Sequence, residues 1–322
     1  MKKNIVEDER MMLRVSDLYY NHNLNQQEIA HRLSISRPTV SKLLTAAREI
    51  GIVTITVSDL SGRKHFQLEQ ILEEQYGLDE VFIIETMEDV TQTKDAMGKA
   101  TAQFLSRIIK DNQVVGLSMG TSLSYISHHI AESFYPNLTF IPLIGGIGTV
   151  SNELHSNFIV ESMAKAYGGK YFPLHAPAML SRKSTKTELM KETTIRRIFK
   201  KAEKMDIAIV GIGTPSLEST IIKTGYISPA MLDEINALNL VGDICMTFYD
   251  EEGRIDKYDI NQQVMAIHLN LLRHTQYTIG VCCGTEKVKA VLGAIRGGFI
   301  NVLITDYAMA RALEKIDQPD QD

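Results

Sequence analysis

From residue 62 onward, short aliphatic and β-branched runs alternate with helix-length amphipathic segments, and this alternation restricts the fold more tightly than anything else in the chain. Periodicity predicts helix 66–76, strand 81–84, helix 93–109, strand 114–117, helix 121–132, strand 139–143, helices 153–167 and 188–203, strands 206–210 and 278–281, helix 285–296 and strand 301–305. Such an order builds a mostly parallel sheet covered by helices on both faces, an α/β body of Rossmann-like type. Its ligands bind beyond the carboxyl ends of the strands.

Four expected strand ends carry glycine. They are Gly116-Leu117-Ser118-Met119-Gly120-Thr121-Ser122, Leu143-Ile144-Gly145-Gly146-Ile147-Gly148, Gly211-Ile212-Gly213-Thr214 and Cys283-Gly284-Thr285-Glu286-Lys287. Glycine lets backbone amides approach a ligand closely, and a following helix start favours an anion. A single loop of this kind is more often a tight turn than a binding site. Four at matching positions, the first adding hydroxyls and the last a lysine, describe a phosphate cradle. Gly116-x-Ser118-x-Gly120 also has the form of a hydrolase nucleophile elbow, with Ser118 as nucleophile and Asp243 followed by His268 or His274 in the matching order. Too few strands precede it for that fold, and Gly145-Gly146 follows Ser118 rather than preceding it. The chain has no dinucleotide GxGxxG, no Walker lysine and no metal spacing among its nine histidines, so His128-His129 reads as a helix face and no metal or cofactor is expected.

The first 58 residues follow a different pattern. Met12, Val15, Leu18 and Tyr19 mark a helix over 11–20, and Asn25-Gln26-Gln27-Glu28 is a capping box opening a second helix over 26–33. Ser36 is placed to cap a third over 37–50. There Val40, Leu43, Leu44 and Ala47 form one apolar face, while Pro38, Ser41, Lys42 and Thr45 point the other way. Pro38 is tolerated in the first turn and Gly51 ends the helix. Residues 52–57, β-branched throughout, suggest the strand of a wing. Two helices joined by a tight turn, the second presenting short polar side chains flanked by cations, suit entry into the major groove. Thr39, Ser41, Lys42 and Thr45 face the bases in this reading, and Arg37 and Arg48 hold phosphates. A helical hairpin used only for protein contacts is the alternative.

Charge supports the division. The whole chain carries −5, yet residues 1–58 hold eight Lys/Arg against six Asp/Glu, leaving −7 on residues 59–322. At 322 residues and 44% hydrophobic composition, two globular domains are expected, 1–58 and 59–322. No run is long enough to span a membrane and the first residues lack a signal-peptide core, so a cytoplasmic protein is expected. Three cysteines, with Cys282 and Cys283 adjacent and Cys245 apart, fit neither a disulfide framework nor a four-ligand zinc site. The segment Ser181-Arg182-Lys183-Ser184-Thr185-Lys186 reads as an exposed basic loop, or alternatively as a mobile lid.

The stretch from Leu24-Asn25-Gln26-Gln27-Glu28-Ile29-Ala30 through Ser36-Arg37-Pro38-Thr39-Val40-Ser41 resembles one known family. So do Gly116 to Ser122, Pro142-Leu143-Ile144-Gly145-Gly146, Gly242-Asp243-Ile244 and Gly284-Thr285-Glu286-Lys287. That family is the SorC/DeoR-type sugar-binding transcriptional regulators of bacteria, and the likeness covers nearly the whole chain. It implies an N-terminal operator-binding winged helix-turn-helix and an effector domain related in fold to sugar-phosphate isomerases and deaminases. It also implies a homodimer or homotetramer, a double-stranded operator DNA partner, a phosphorylated sugar or polyol as effector, and no catalysis. The effector phosphate would lie against positions matching Gly120, Thr121, Ser122 and Lys287, with Asp243 binding sugar hydroxyls. Ser118, Gly145, Gly146, His155, Gly213 and Gly284 complete the expected site. Where one branch of the family has an arginine for a bisphosphate and another an imine-forming lysine, this chain has Ile144, which points to a monophosphate bound without a covalent bond. An isomerase-like enzyme or a sugar-phosphate sensor without DNA binding are the other readings of such a body, and the basic head separates the regulator from both.

Overall fold

The computed structural model describes residues 8–55, 64–146, 154–217, 219–223 and 225–316. The chain divides into two compact units, Met1–Arg63 and Lys64–Asp322.

In the first unit α1 (Glu9–Ser16) is capped by Asp8, whose carboxylate accepts from the amides of Arg10 and Met11. It loosens into a π turn at Asp17–Asn21, so the expected helix over 11–20 is split in two. The capping box forms as expected: Asn25 Oδ1 accepts from the Gln27 and Glu28 amides at 3.0 Å, and the Glu28 carboxylate accepts from the Asn25 amide at 2.8 Å. It opens α2 (Gln26–Leu33). Ser36 caps α3 (Arg37–Glu49), accepting from the Thr39 amide, and Pro38 sits in the first turn where no amide bond is lost. Val40, Leu43, Leu44 and Ala47 meet Met12, Val15, Leu18, Ile29 and Ala30 in one buried cluster. Each fully buried aliphatic side chain contributes about 1.5–3 kcal/mol, which is what lets three short helices hold together. The expected wing strand is absent among the described residues: 52–55 form a turn and an unpaired stretch, and residues 56 and 57 lie outside them. Val53 instead donates its amide to the Ala47 carbonyl, so the run prolongs the helix terminus.

The second unit contains α4 (Phe66–Tyr76), β1 (Glu80–Ile84), α5 (Val90–Ile108), β2 (Val114–Leu117), α6 (Thr121–Ser124), β3 (Thr139–Pro142), α7 (Ser156–Tyr167), β4 (Lys170–Tyr171), α8 (Lys183–Leu189), α9 (Thr193–Ala202) and β5 (Ile207–Gly211). There follow α10 (Thr220–Lys223), α11 (Pro229–Ala237), β6 (Gly242–Ile244), β7 (Thr247–Tyr249), β8 (Tyr277–Val281), α12 (Val288–Arg296), β9 (Val302–Asp306) and α13 (Tyr307–Ile316). Seven strands form one sheet in the order β1-β9-β8-β5-β2-β3-β4. Every pairing in it is parallel. Side chains of a strand alternate between faces. Thus Ile207 and Ile209 of β5 enter one core with Phe104, Val115 and Ile279, while Ala208 and Val210 enter the other with Leu72, Phe299 and Leu303. The chain moves outward from β2 through β3 to β4, then returns to place β5 on the other side of β2 and continues through β8 and β9. Strand order therefore reverses between β2 and β5, where such folds open a ligand crevice.

Segment 183–189 is helical, so only the start of the expected basic loop lacks regular structure. The expected helix 121–132 stops at Ser124 and continues as a 3-10 turn, Ile126–His129. Tyr125 lies against Gly98 of α5, where an added Cβ would be 2.7 Å from the Tyr125 Cβ, and His129 pairs with Asp95 at 2.8 Å. Contact with α5 reshapes that segment.

Candidate functional site

At the β2/β5 reversal the loops after β1, β2, β5, β8 and β9 enclose a cavity of about 370 Å³. From the loop after β2 come Gly120, Thr121 and Ser122; from that after β5, Gly213, Thr214 and Ser219; from that after β8, Gly284, Glu286 and Lys287; and Asp243 enters from β6. Two of the loops share a design. Gly120 (φ +136°) and Gly284 (φ +96°) each precede a helical turn beginning at a threonine, in backbone regions where a side chain is strained.

The floor is built from β2 and β5. Ser118, 1% exposed, donates its hydroxyl to the Met119 carbonyl at 3.2 Å and accepts from the Gly211 amide at 3.0 Å, locking the two strand ends together. It lies under the cavity rather than in its wall. Neither expected triad histidine lines this cavity: His268 pairs with Asp256 at 3.6 Å beside a different one, and His274 is not in the lining.

Asp243 is positioned by an antiparallel bridge to Gly213, with Gly213 N donating to Asp243 O at 2.9 Å and Asp243 N to Gly213 O at 3.1 Å. Gly213 has to be glycine, because a Cβ there would overlap Asp243 Oδ1. The β6–β7 hairpin closes through Cys245 and Met246, at φ +54° and +58°, both in the left-handed region that a two-residue turn of this kind demands. The turn brings the Met246 amide onto Asp243 Oδ2 at 3.0 Å. Asp243 Oδ1 is buried without a partner among the described residues, as is the Ser219 hydroxyl in the same cavity. Burial pushes the Asp243 carboxyl up to about 6, opposed by the Met246 amide and the Lys287 ammonium. Two buried polar atoms left unpaired in one cavity mark where a ligand's donors and acceptors would fit.

Sequence reasoning missed part of the lining. Thr86 and Lys94 enter from the β1 end, Cys245 from the hairpin turn, and Asp306 from β9, where it accepts from the Gly284 amide at 3.2 Å and the Thr86 hydroxyl at 2.7 Å. The signal available was that β1 and β9 also end at this rim. Burial raises the thiols of Cys245, Cys282 and Cys283, which keeps them protonated. Gly145, Gly146 and His155 do not line this cavity. Gly145 packs against the carbonyls of Ala176 and Pro177, and Gly146 exchanges backbone bonds with Ala176 and Ala178, its Cβ direction leading to His155. Ile147 and Gly148 of that loop lie outside the described residues.

In the first unit α3 leaves Ser41, Lys42 and Thr45 exposed away from its buried stripe and Arg37 and Arg48 exposed at its flanks, with Thr39 half-buried. Two of the hydroxyls are engaged locally, Thr39 with Ser36 at 2.7 Å and Thr45 with the Ser41 carbonyl at 3.1 Å. Arg37, Lys42 and Arg48 make no ion pair among the described residues.

A helix-turn-helix unit joined to a parallel α/β unit with a polar crevice at its strand-order reversal defines the class of ligand-responsive DNA-binding proteins. Residues 62–314 match the family described as "Putative sugar-binding domain", and residues 7–49 match sigma-70 region 4. The chain is 32% identical to the deoxyribonucleoside regulator of Bacillus subtilis, covering 95% of this chain and 98% of that one. It is 28% identical to the sorbitol operon regulator of Klebsiella pneumoniae, over 96% and 99%. The full-length crystal structure of that regulator superposes with a TM-score of 0.75, covering 95% of this chain and 99% of the other. The chain belongs to the SorC/DeoR-type family of sugar-binding transcriptional regulators. Among the described residues no helix is long and apolar enough to cross a membrane.

Proposed function

We propose that this chain is a non-enzymatic transcriptional regulator of a carbohydrate-utilisation operon whose operator binding is set by a phosphorylated sugar or polyol. Residues 1–58 read DNA through Arg37, Thr39, Ser41, Lys42, Thr45 and Arg48, and residues 59–322 bind the effector and hold the protein together as a homodimer or homotetramer in the cytoplasm. The observation that carries this reading is the meeting of Thr121, Ser122, Lys287 and Asp243 in one cavity, with Asp243 Oδ1 lacking a partner.

The chemistry divides within the cavity. Lys287, the hydroxyls of Thr121 and Ser122 and the amides freed by Gly120 and Gly284 supply donors to a phosphate dianion. Asp243 accepts from sugar hydroxyls, and the Ser219 hydroxyl is a further free polar group in the wall. Asp306 has its oxygens engaged by the Gly284 amide and the Thr86 hydroxyl, so it does not compete for the sugar's donors, but it and Glu286 remain carboxylates in the lining and set the anion toward Lys287. A phosphate near Asp243 and Lys287 draws on the ammonium most strongly, because charge-assisted bonds contribute about 1.5–3 kcal/mol each. Ile144 is fully buried, bridges Ala266 and does not line the cavity, which supports an effector with one phosphate and no imine.

Titration calorimetry with a panel of sugar and polyol monophosphates tests this. One member of the panel is expected to bind and its dephosphorylated form to bind poorly, with Lys287→Ala losing most of the affinity. Equal binding of free and phosphorylated sugars, or an unaffected Lys287→Ala, places the phosphate site elsewhere.

A further inference from the structure

A second cavity, about 490 Å³ in volume, lies between α8, α9 and the segment 255–271. That is within the usual range for small-molecule pockets. Met190, Phe199, Ile255, Val264, Ile267 and Leu271 give it apolar walls. Into them α8 brings Lys186. Leu189 and the adjacent Met190 make this helix's contact with the core, so its packing does not call for a charge at Lys186. The half-buried ammonium has no hydrogen-bond or ion-pair partner among the described residues. Desolvation and the nearby Lys183 hold its pKa below the ordinary lysine value. The other charges at this cavity stand at its rim, where Glu203 is exposed and Asp256 faces the exposed His268. A cation withdrawn from water without a counterion is costly, and an anion with an apolar body removes that cost.

We propose that this cavity is a second ligand site, binding a small amphipathic organic anion whose charge pairs with Lys186 and whose hydrocarbon or aromatic body fills the apolar walls. Its back wall is shared with the effector cavity. Thr247 of the β6–β7 hairpin lines the second site, while Asp243 and Cys245 of the same hairpin line the first. Asn261, also in the second site, clamps β7 by accepting from the Phe248 amide and donating to the Phe248 carbonyl, both at 2.8 Å. An occupant therefore touches the element that holds Asp243.

The probe is 8-anilinonaphthalene-1-sulfonate on the full chain, with octanoate as competitor. Saturable fluorescence displaced by octanoate is expected. Lys186→Met, which keeps the apolar stem, should weaken both ligands at least about tenfold, the effect of one lost charge-assisted bond. Lys183→Met should change affinity less than about threefold, which separates pairing from general attraction between charges. Circular dichroism melting should show Lys186→Met folded as the parent, since methionine keeps the apolar stem and Leu189 and Met190 still hold the helix to the core. Absence of saturable binding, undiminished binding by Lys186→Met, or loss of binding in Lys287→Ala, which would put the anion in the effector cavity, overturns the proposal. So does a change of mass in light scattering on Lys186→Met, which would make the cavity a contact between copies.

Discussion

Asp243→Asn is expected to make the unliganded protein more stable while removing its response to the effector. The carboxyl is buried, one oxygen is bonded to the Met246 amide and the other is unpaired. Its pKa is raised from 3.8 to about 6 in the folded chain. Between those values the folded state binds the proton more tightly than the unfolded state, so stability falls as pH rises, and above pH 6 the whole penalty is present. At 1.36 kcal/mol per unit, the charged carboxylate costs the folded state about 3 kcal/mol at pH 8 and about 1.5 kcal/mol at pH 5. Asparagine keeps the acceptor for Met246 and never ionises. The variant should therefore exceed the parent in urea unfolding, followed by circular dichroism, by a margin of that order that grows by about 1.5 kcal/mol from pH 5 to pH 8. A variant less stable than the parent at pH 8, or a margin independent of pH, would refute a buried, unpaired carboxylate at this position.

Arg37→Ala and Lys42→Ala should each weaken binding to operator DNA and reduce the slope of log affinity against log salt by about 1, as read by fluorescence anisotropy at several salt concentrations. Asn25→Ala removes the acceptor of two helix-start amides and should destabilise the first unit by about 1 kcal/mol in thermal unfolding. Gly120→Ala meets no atom within 4 Å, so its cost is backbone strain alone, about 1–3 kcal/mol. That cost should appear as a lowered melting temperature together with weaker sugar-phosphate binding, and an unchanged melt would show that φ +136° is not required there.

What could be read in the sequence was whatever local periodicity and capping decide. The stripe Val40-Leu43-Leu44-Ala47, the capping box at Asn25 and the parallel strands all follow from spacing, and the structure has them. What tertiary contact decides was not legible. Residues 52–57 have strand composition, but a strand needs a neighbour, and 52–55 have none among the described residues. The β6–β7 hairpin escaped because its turn is Cys245-Met246 rather than the Asn-Gly or Asp-Gly that normally supplies two left-handed residues. For the crevice, glycine, hydroxyl and lysine at strand ends were visible as motifs. Lys94 and Asp306 were not, because they come from a helix and a strand end without glycine and meet the site only through sheet order. The loop holding Gly145 and Gly146 shows the reverse: Gly145 serves close backbone packing on Ala176 and Pro177, which a sequence cannot distinguish from an amide cradle.

The coupling of sugar phosphate to DNA is tested most directly by titrating the sugar monophosphate identified by calorimetry into a complex of the full chain with its operator fragment, for the parent and for Lys287→Ala. The parent's operator affinity should shift with the phosphate ester and not with the free sugar. Lys287→Ala should bind the operator as tightly as the unliganded parent and fail to respond. An operator affinity indifferent to every sugar phosphate in the parent, or a Lys287→Ala protein that responds fully, would contradict a DNA-binding regulator governed by a phosphate held in the β2/β5 crevice.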